Sequence, residues 1–237
     1  MKRDGAGPAE ALVSRCAEMG VPLSPEVAGA LVALLDRIAL EPQNLTAIDD
    51  VAAGVERHLA DSLAGLTLPV LRAAPAALDL GSGAGFPALA LAAARPEMAV
   101  TAVESEGRKA AWLVRASARF PNVRVVAERS ETLALRERER WPAITARAVA
   151  PLPAVVELAA PLLSPGGTLV AWRAGRAPAE EAAAARAAAL VGLEPGAVTA
   201  VRPFAGARRH LHEFVKRAPT SGRFPRRPGR ASSHPLA

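Results

Sequence analysis

Apolar positions recur at helical spacing in the first third of the chain and gather into short runs after it. Residues 9–20 and 25–39 read as amphipathic helices; in the second, Val27, Leu31, Leu34, Leu35 and Ile38 fall on one face. Ser24 is placed to cap that helix, Pro25 takes its first position and Pro42 ends the segment. Residues 50–66 predict a third helix, with Val55, Leu59, Ser62 and Leu63 along one side. No strand pattern interrupts this stretch, so residues 1–70 are expected to form a small helical subdomain.

The pattern changes after Pro75. Short apolar strands are expected at 76–80, 99–103, 123–127, 143–149 and 168–172, alternating with helices at 87–94, 107–120, 153–163 and 180–191. Such alternation predicts an α/β fold with a doubly wound, mostly parallel sheet. Two last strands, near 196–204 and 209–216, have no helix between them and suggest an antiparallel edge. The main domain is thus expected over 71–217. Residues 218–237, rich in Pro, Gly, Ser and Arg, read as a basic, flexible tail without a packed core.

Composition narrows the class. One cysteine, Cys16, permits no internal disulfide and no cysteine-rich zinc site, and reads as a small core residue; no metal is expected. The first ten residues lack an apolar signal-peptide core, and no uncharged apolar run reaches the ~18–20 residues of a membrane helix. The expected setting is the cytoplasm. The formal charge of +6 is concentrated at the C-terminal end, where nine Lys/Arg face the single acid Glu213 from residue 202 onward. Such a cluster fits an anionic partner such as nucleic acid, or a solvated tail.

The candidate chemistry centres on Asp79-Leu80-Gly81-Ser82-Gly83-Ala84-Gly85-Phe86-Pro87. It follows the first parallel strand and opens a helix, at the sheet edge where such folds bind ligands. A dinucleotide fingerprint requires glycine at the sixth loop position, where Phe86 stands. The spacing Asp-x-Gly-x-Gly-x-Gly instead resembles motif I of class I methyltransferases, which bind S-adenosylmethionine. Glu104 ends the next strand, 23 residues after Gly81, where a carboxylate can accept both ribose hydroxyls; NAD enzymes share that feature. Ser105 follows it. Ser130 and Glu131, after the third strand, fall in the loop that passes the adenine in this fold.

With these pieces placed, the chain resembles the 16S ribosomal RNA guanine-N7 methyltransferase family, also called the glucose-inhibited division protein B family. The resemblance rests on Asn44-Leu45-Thr46-Ala47-Ile48, Arg57-His58-Leu59-Ala60-Asp61-Ser62-Leu63, the glycine loop, Arg108-Lys109, Ala146-Arg147-Ala148, Arg209-His210-Leu211 and Phe224-Pro225-Arg226-Arg227-Pro228-Gly229. Ala88 and Arg173 depart from the residues usual there, and the chain has no tyrosine. The resemblance implies a class I, Rossmann-like methyltransferase acting on 16S rRNA or the 30S subunit. Asp79, Gly81, Gly83, Gly85, Phe86, Glu104, Ser105, Ser130 and Glu131 are the expected cofactor residues. Arg147 is the expected catalytic residue, and Asn44, His58, Arg147, Arg209 and His210 are expected to meet RNA.

Guanine N7 carries a lone pair and no proton, so its methylation needs alignment rather than a general base. Methylation of an exocyclic amine would call for Asn/Asp-Pro-Pro-aromatic after the fourth strand, where Ala146-Arg147-Ala148-Val149 stands. Arg147 could instead serve a structural ion pair. His58 and Asp61, three apart, read from spacing as a surface or capping pair. Trp112, Trp141 and Trp172 read as core. A methyltransferase acting on another nucleic acid or a small molecule and a non-catalytic or NAD-binding α/β protein remain as alternatives on the residues alone.

Overall fold

The computed structural model describes residues 7–42, 45–48 and 50–236. It opens on α1 (Pro8–Glu18) and α2 (Pro25–Ala39). Ser24 Oγ accepts from the Val27 N–H at 3.2 Å, which satisfies one otherwise unpaired donor, and Pro25 supplies the preset φ of the first turn. The face buried by α2 carries Leu31, Leu34, Leu35 and Ile38, as the spacing predicts. Cys16 lies fully buried in the same cluster, and burial pushes its thiol up to about 12.

The single helix expected over 50–66 is broken into pieces. Asp50 caps α3 (Val51–Gly54), its carboxylate accepting from the Ala53 N–H at 2.7 Å. The chain then widens into a π turn, Val55–Ala60, resumes as α4 (Asp61–Leu63) and tightens into a 3-10 turn, Ala64–Thr67, before α5 (Pro69–Ala73). Tertiary contacts account for the irregularity: the Trp172 indole N–H donates to the Asp61 carbonyl at 2.9 Å, drawing this stretch onto the sheet. His58 and Asp61 are therefore buried, at 8% and 3% exposed, and not the surface pair their spacing suggests.

The α/β domain follows as β1 (Ala76–Leu80), α6 (Ala88–Ala94), β2 (Ala99–Val103), α7 (Gly107–Ser117), β3 (Val123–Val126), α8 (Ser130–Leu133), β4 (Trp141–Arg147), α9 (Leu152–Ala159), β5 (Leu163–Arg173), α10 (Pro178–Val191), β6 (Leu193–Val201) and β7 (Arg209–Lys216). The sheet order is β3-β2-β1-β4-β5-β7-β6. The first five strands are parallel, and β7 runs antiparallel between β5 and β6. The Ser164–Gly167 turn is absorbed into β5 as an irregularity, where the partner of β4 jumps from Leu163 to Thr168.

Burial alternates along the strands. Ala77 packs with α2, α6 and α7 on one face; Leu78 and Leu80 pack with α9 and α10 on the other. The strand order reverses between β1 and β4, which opens a crevice beyond their carboxyl ends. All three tryptophans are buried, as expected. Among the described residues no helix is long and apolar enough to cross a membrane, and no group of three or more His, Cys, Asp or Glu side chains could hold a metal ion.

The C-terminal segment is a correction to the unpacked tail. Phe224 is 3% exposed within the α9/α10 cluster, a burial worth about 2 kcal/mol. Arg138 donates to the Phe224 carbonyl at 2.7 Å and to the Thr220 and Ser221 carbonyls. The Arg226 guanidinium pairs with both oxygens of Glu157 on α9. Lys216, fully buried, meets Glu139 at 3.0 Å and fixes the point where the segment leaves β7. A short helix, α11 (Arg230–Ser233), closes it, with Ala231 buried. A buried aromatic, an ion pair to a buried carboxylate and a few backbone acceptors hold the segment, which composition alone conceals.

Candidate functional site

The turn between β1 and α6 is held by its own backbone and by β2 and α7. Ser82 N–H donates to the Val103 carbonyl at 3.0 Å, Gly85 N–H to the Ser82 carbonyl at 2.8 Å, and the Trp112 indole to the Ala84 carbonyl at 3.0 Å. At Gly83 the backbone has φ +55, and a Cβ would meet no side chain, only the Gly81 carbonyl oxygen at 3.9 Å. Gly83 therefore leaves open space above the loop. Gly85 serves packing instead: a Cβ there would stand 2.6 Å from Leu89.

That open space is a cavity of about 390 Å³. The expected residues Gly81, Gly83, Phe86, Glu104, Ser105, Ser130, Glu131, His58 and Arg147 line it, together with Thr46, Lys109 and Ser232, which the sequence reading missed. Asp79 and Gly85 are not in its wall. Asp79 lies beneath the loop, where Thr145 Oγ1 donates to its Oδ1 at 2.7 Å while Oδ2 is buried without a partner. Burial pushes the Asp79 carboxyl up to about 6, against the hydrogen bond from Thr145.

Glu104 is fixed by two amides: Gly83 N–H donates to Oε2 at 2.9 Å and Glu106 N–H to Oε1 at 2.7 Å. Each carboxylate oxygen keeps a further lone pair, so the group can still accept a pair of vicinal hydroxyls. On the third-strand side, Ser130 Oγ donates to Glu131 Oε2 at 3.2 Å, and Glu131 Oε1 accepts the Gly229 N–H at 2.8 Å. A glycine cradle and a fixed carboxylate around one cavity fit the adenosyl and methionine parts of S-adenosylmethionine.

Arg147, at the end of β4, forms the other wall. Its Nη1 donates to Asp61 Oδ2 at 2.9 Å and to the Arg57 carbonyl at 3.1 Å. Asp61 Oδ1 also accepts Arg209 Nε at 2.9 Å, so one buried carboxylate holds two arginines. His58 stacks on Phe86, with ring centroids 4.9 Å apart and planes 5° from parallel. A guanidinium only donates, so His58 Nδ1, 3.4 Å from Arg147 Nη2, is the acceptor, and Nε2 carries the proton toward Thr46 Oγ1 at 2.8 Å. Burial, and then the Arg147 charge, lower the His58 pKa to about 4, so the ring is neutral at pH 7. The next residue, Ala148, takes φ +56, a strained value for a residue with a Cβ, where the chain turns around the cavity mouth.

A second cavity of about 660 Å³ adjoins the first and shares His58, Arg147 and Ala148 with it. Arg57, Arg173, Arg176 and Arg209 also line it. Arg173 is paired with Glu180 and Arg176 with Glu181, whereas Arg57 is exposed. His210, expected beside Arg209, does not line either cavity; it lies in β7 opposite Arg173, with Nδ1 buried and without a partner. Asn44 lies outside the described residues.

The profile of the family described as rRNA small subunit methyltransferase G matches residues 29–212. A relative named ribosomal RNA small subunit methyltransferase G from Chloroflexus aggregans is 43% identical over 233 residues, 95% of this chain and 97% of that one. The protein of the same name from Deinococcus deserti is 40% identical, covering 96% of each. Among solved structures, a variant of the 16S rRNA (adenine(1408)-N(1))-methyltransferase from Catenulisporales acidiphilia, bound to its cosubstrate SAM, superposes with a TM-score of 0.51 at 18% identity, over 64% of this chain and 90% of that one. That likeness establishes the shared fold.

Proposed function

The chain belongs to the rRNA small subunit methyltransferase G family, and on that premise we propose that it holds S-adenosylmethionine in the cavity above Gly83 and methylates N7 of a guanine in 16S rRNA presented through the adjoining arginine-lined cavity. The observation that carries this reading is the meeting of the two cavities at Arg147 and His58. A nucleoside-type site and a cationic site share one wall, so a polyanion in the second can extend a base into the first.

When bound, S-adenosylmethionine supplies an electrophilic methyl group. Gly81, Gly83 and Phe86 would bound its space, Glu104 would accept its ribose hydroxyls, and the Ser130–Glu131 loop would border its adenine. The remaining task is alignment. Arg147 is oriented by Asp61 and can donate to a phosphate or to guanine O6, which leaves the N7 lone pair free for the methyl group. The neutral His58 ring, flat against Phe86, offers an uncharged floor beside it. N7 has no proton to lose, which agrees with an end of β4 that carries Arg147 and no carboxylate. Arg57, Arg176 and Arg209 are assigned to the RNA backbone, in the cytoplasm where 30S subunits assemble. Mapping 7-methylguanosine in 16S rRNA from cells with and without the gene tests the reading. An unchanged map would overturn it.

A further inference from the structure

Four of the basic residues that mark the chain as a polyanion binder lie in the last twenty positions, yet the structure turns that segment toward the cofactor cavity. Ser232 lines the cavity together with Gly81, Gly83, Glu104 and Ser130. Three residues earlier, the Gly229 N–H donates to Glu131 Oε1 at 2.8 Å, which ties the segment to the loop after β3. Its course is fixed from three further sides. Phe224 is buried, Arg226 is paired with the buried Glu157, and Ala231 packs against α9. Arg226 also donates to the His234 carbonyl at 2.8 Å, which folds the last turn back on itself. Such fixation is not expected of an arm that samples solvent until RNA arrives.

We propose that residues 224–232 are a wall of the S-adenosylmethionine site, closing it at the adenine end with Ser232 at the rim and Gly229 holding Glu131 in place. The proposal rests on the cofactor reading above and adds to it a binding element outside the β1, β2 and β3 loops. The matched family profile ends at residue 212, before this segment begins. Glu131 is the connecting group. One of its oxygens is taken by the segment's backbone and the other by Ser130 Oγ, so the loop after β3 is hydrogen-bonded directly to the C-terminal segment. Order in the segment and occupancy of the cavity are thereby coupled.

The test uses the full chain with S-adenosylhomocysteine, the demethylated product, as the probe. Calorimetry is run on the parent, on Ser232→Trp and on Ser233→Trp, and amide hydrogen exchange is followed on the parent with and without the probe. Both serines are exposed, so neither substitution disturbs the core. The expected result is slower exchange across 227–233 on binding, a Kd at least tenfold higher for Ser232→Trp, and a Kd within twofold of the parent for Ser233→Trp. Binding with unchanged exchange and an unaffected Ser232→Trp would overturn the proposal while leaving the cofactor site intact. Equal losses in both variants would overturn the specific place given to Ser232. A parent that fails to bind the probe would overturn the cofactor reading, and this proposal with it.

Discussion

Arg147 and Asp61 stand 86 positions apart in sequence and 2.9 Å apart in space, joining the end of β4 to the irregular helical stretch above it. The same carboxylate holds Arg209 at the start of β7, so three separate parts of the chain meet at one charge. The pair is largely withdrawn from water; Arg147 is compensated by Asp61, whereas Asp61 is shared with Arg209.

Arg147→Ala should therefore lower kcat by about 100-fold, the scale of losing alignment at a reacting centre, and should leave the S-adenosylmethionine Kd within about threefold of the parent, since its hydrogen bonds go to Asp61, Arg57 and His58 and not to the glycine loop. Asp61 would retain Arg209 in that variant. Asp61→Asn removes the anchor of both arginines and should cost about 3 kcal/mol of stability as well as turnover. Single-turnover kinetics with 30S subunits, beside calorimetry, separate the two effects. Equal losses of affinity and turnover in Arg147→Ala would place the residue in the cofactor site.

Gly83→Val should abolish detectable S-adenosylmethionine binding with the fold retained. The added side chain would project into the open cavity from a backbone at φ +55, a region that β-branched residues avoid. The measurement is calorimetry beside circular dichroism. A folded variant with parental affinity would show that the cofactor sits elsewhere.

The parts of the fold that obey a period could be read in the sequence. The α2 face, the five parallel strands and the antiparallel end follow from spacing, and the Asp79–Pro87 loop follows from its position after a strand. What could not be read was decided by tertiary contact. The helical spacing of His58 and Asp61 says nothing of Trp172, which draws that stretch inward, or of the arginines from β4 and β7 that converge on it. The distinction between Gly83, which borders the cavity, and Gly85, which packs on Leu89, is likewise invisible in a row of alternating glycines. The C-terminal segment misleads in the other direction: its composition is that of a solvated tail, while Phe224, Arg226 and Ala231 each find a buried partner.

Two buried titratable groups oppose each other in acid. Asp79, raised to about 6 from 3.8, contributes stability that is full below 3.8 and lost as pH rises through 6. His58, lowered to about 4 from 6.5, contributes stability that is full above 6.5 and lost as pH falls toward 4. Between those limits the two trends offset each other. Asp79→Asn removes the first, so the Tm of the variant relative to the parent should rise by about 3 °C or more from pH 4 to pH 7. Scanning fluorimetry without ligand across that range is the check. A difference that stays level would mean that Asp79 is ionised at no cost.

The last prediction separates the arginines of the C-terminal segment. Arg226 is neutralised by Glu157, which is itself 2% exposed, so Arg226→Ala strands a buried carboxylate. It should cost about 3 kcal/mol of stability and weaken S-adenosylmethionine binding by loosening the wall that carries Ser232. Arg223, Arg227 and Arg230 have no acidic partner among the described residues and remain available to phosphates. Replacing those three with alanine strands no buried acid, so it should lower cofactor affinity and Tm less than Arg226→Ala does. If they touch RNA, the log–log salt slope of 30S-subunit binding should become shallower by ~0.7–0.9 for each lost contact, the smaller figure applying to single strands. Binding to 30S subunits at four or five salt concentrations, for the parent, the single variant and the triple variant, gives the slopes. A parental slope in the triple variant would confine the segment to the cofactor site and leave RNA recognition to Arg57, Arg147, Arg176 and Arg209 around the second cavity.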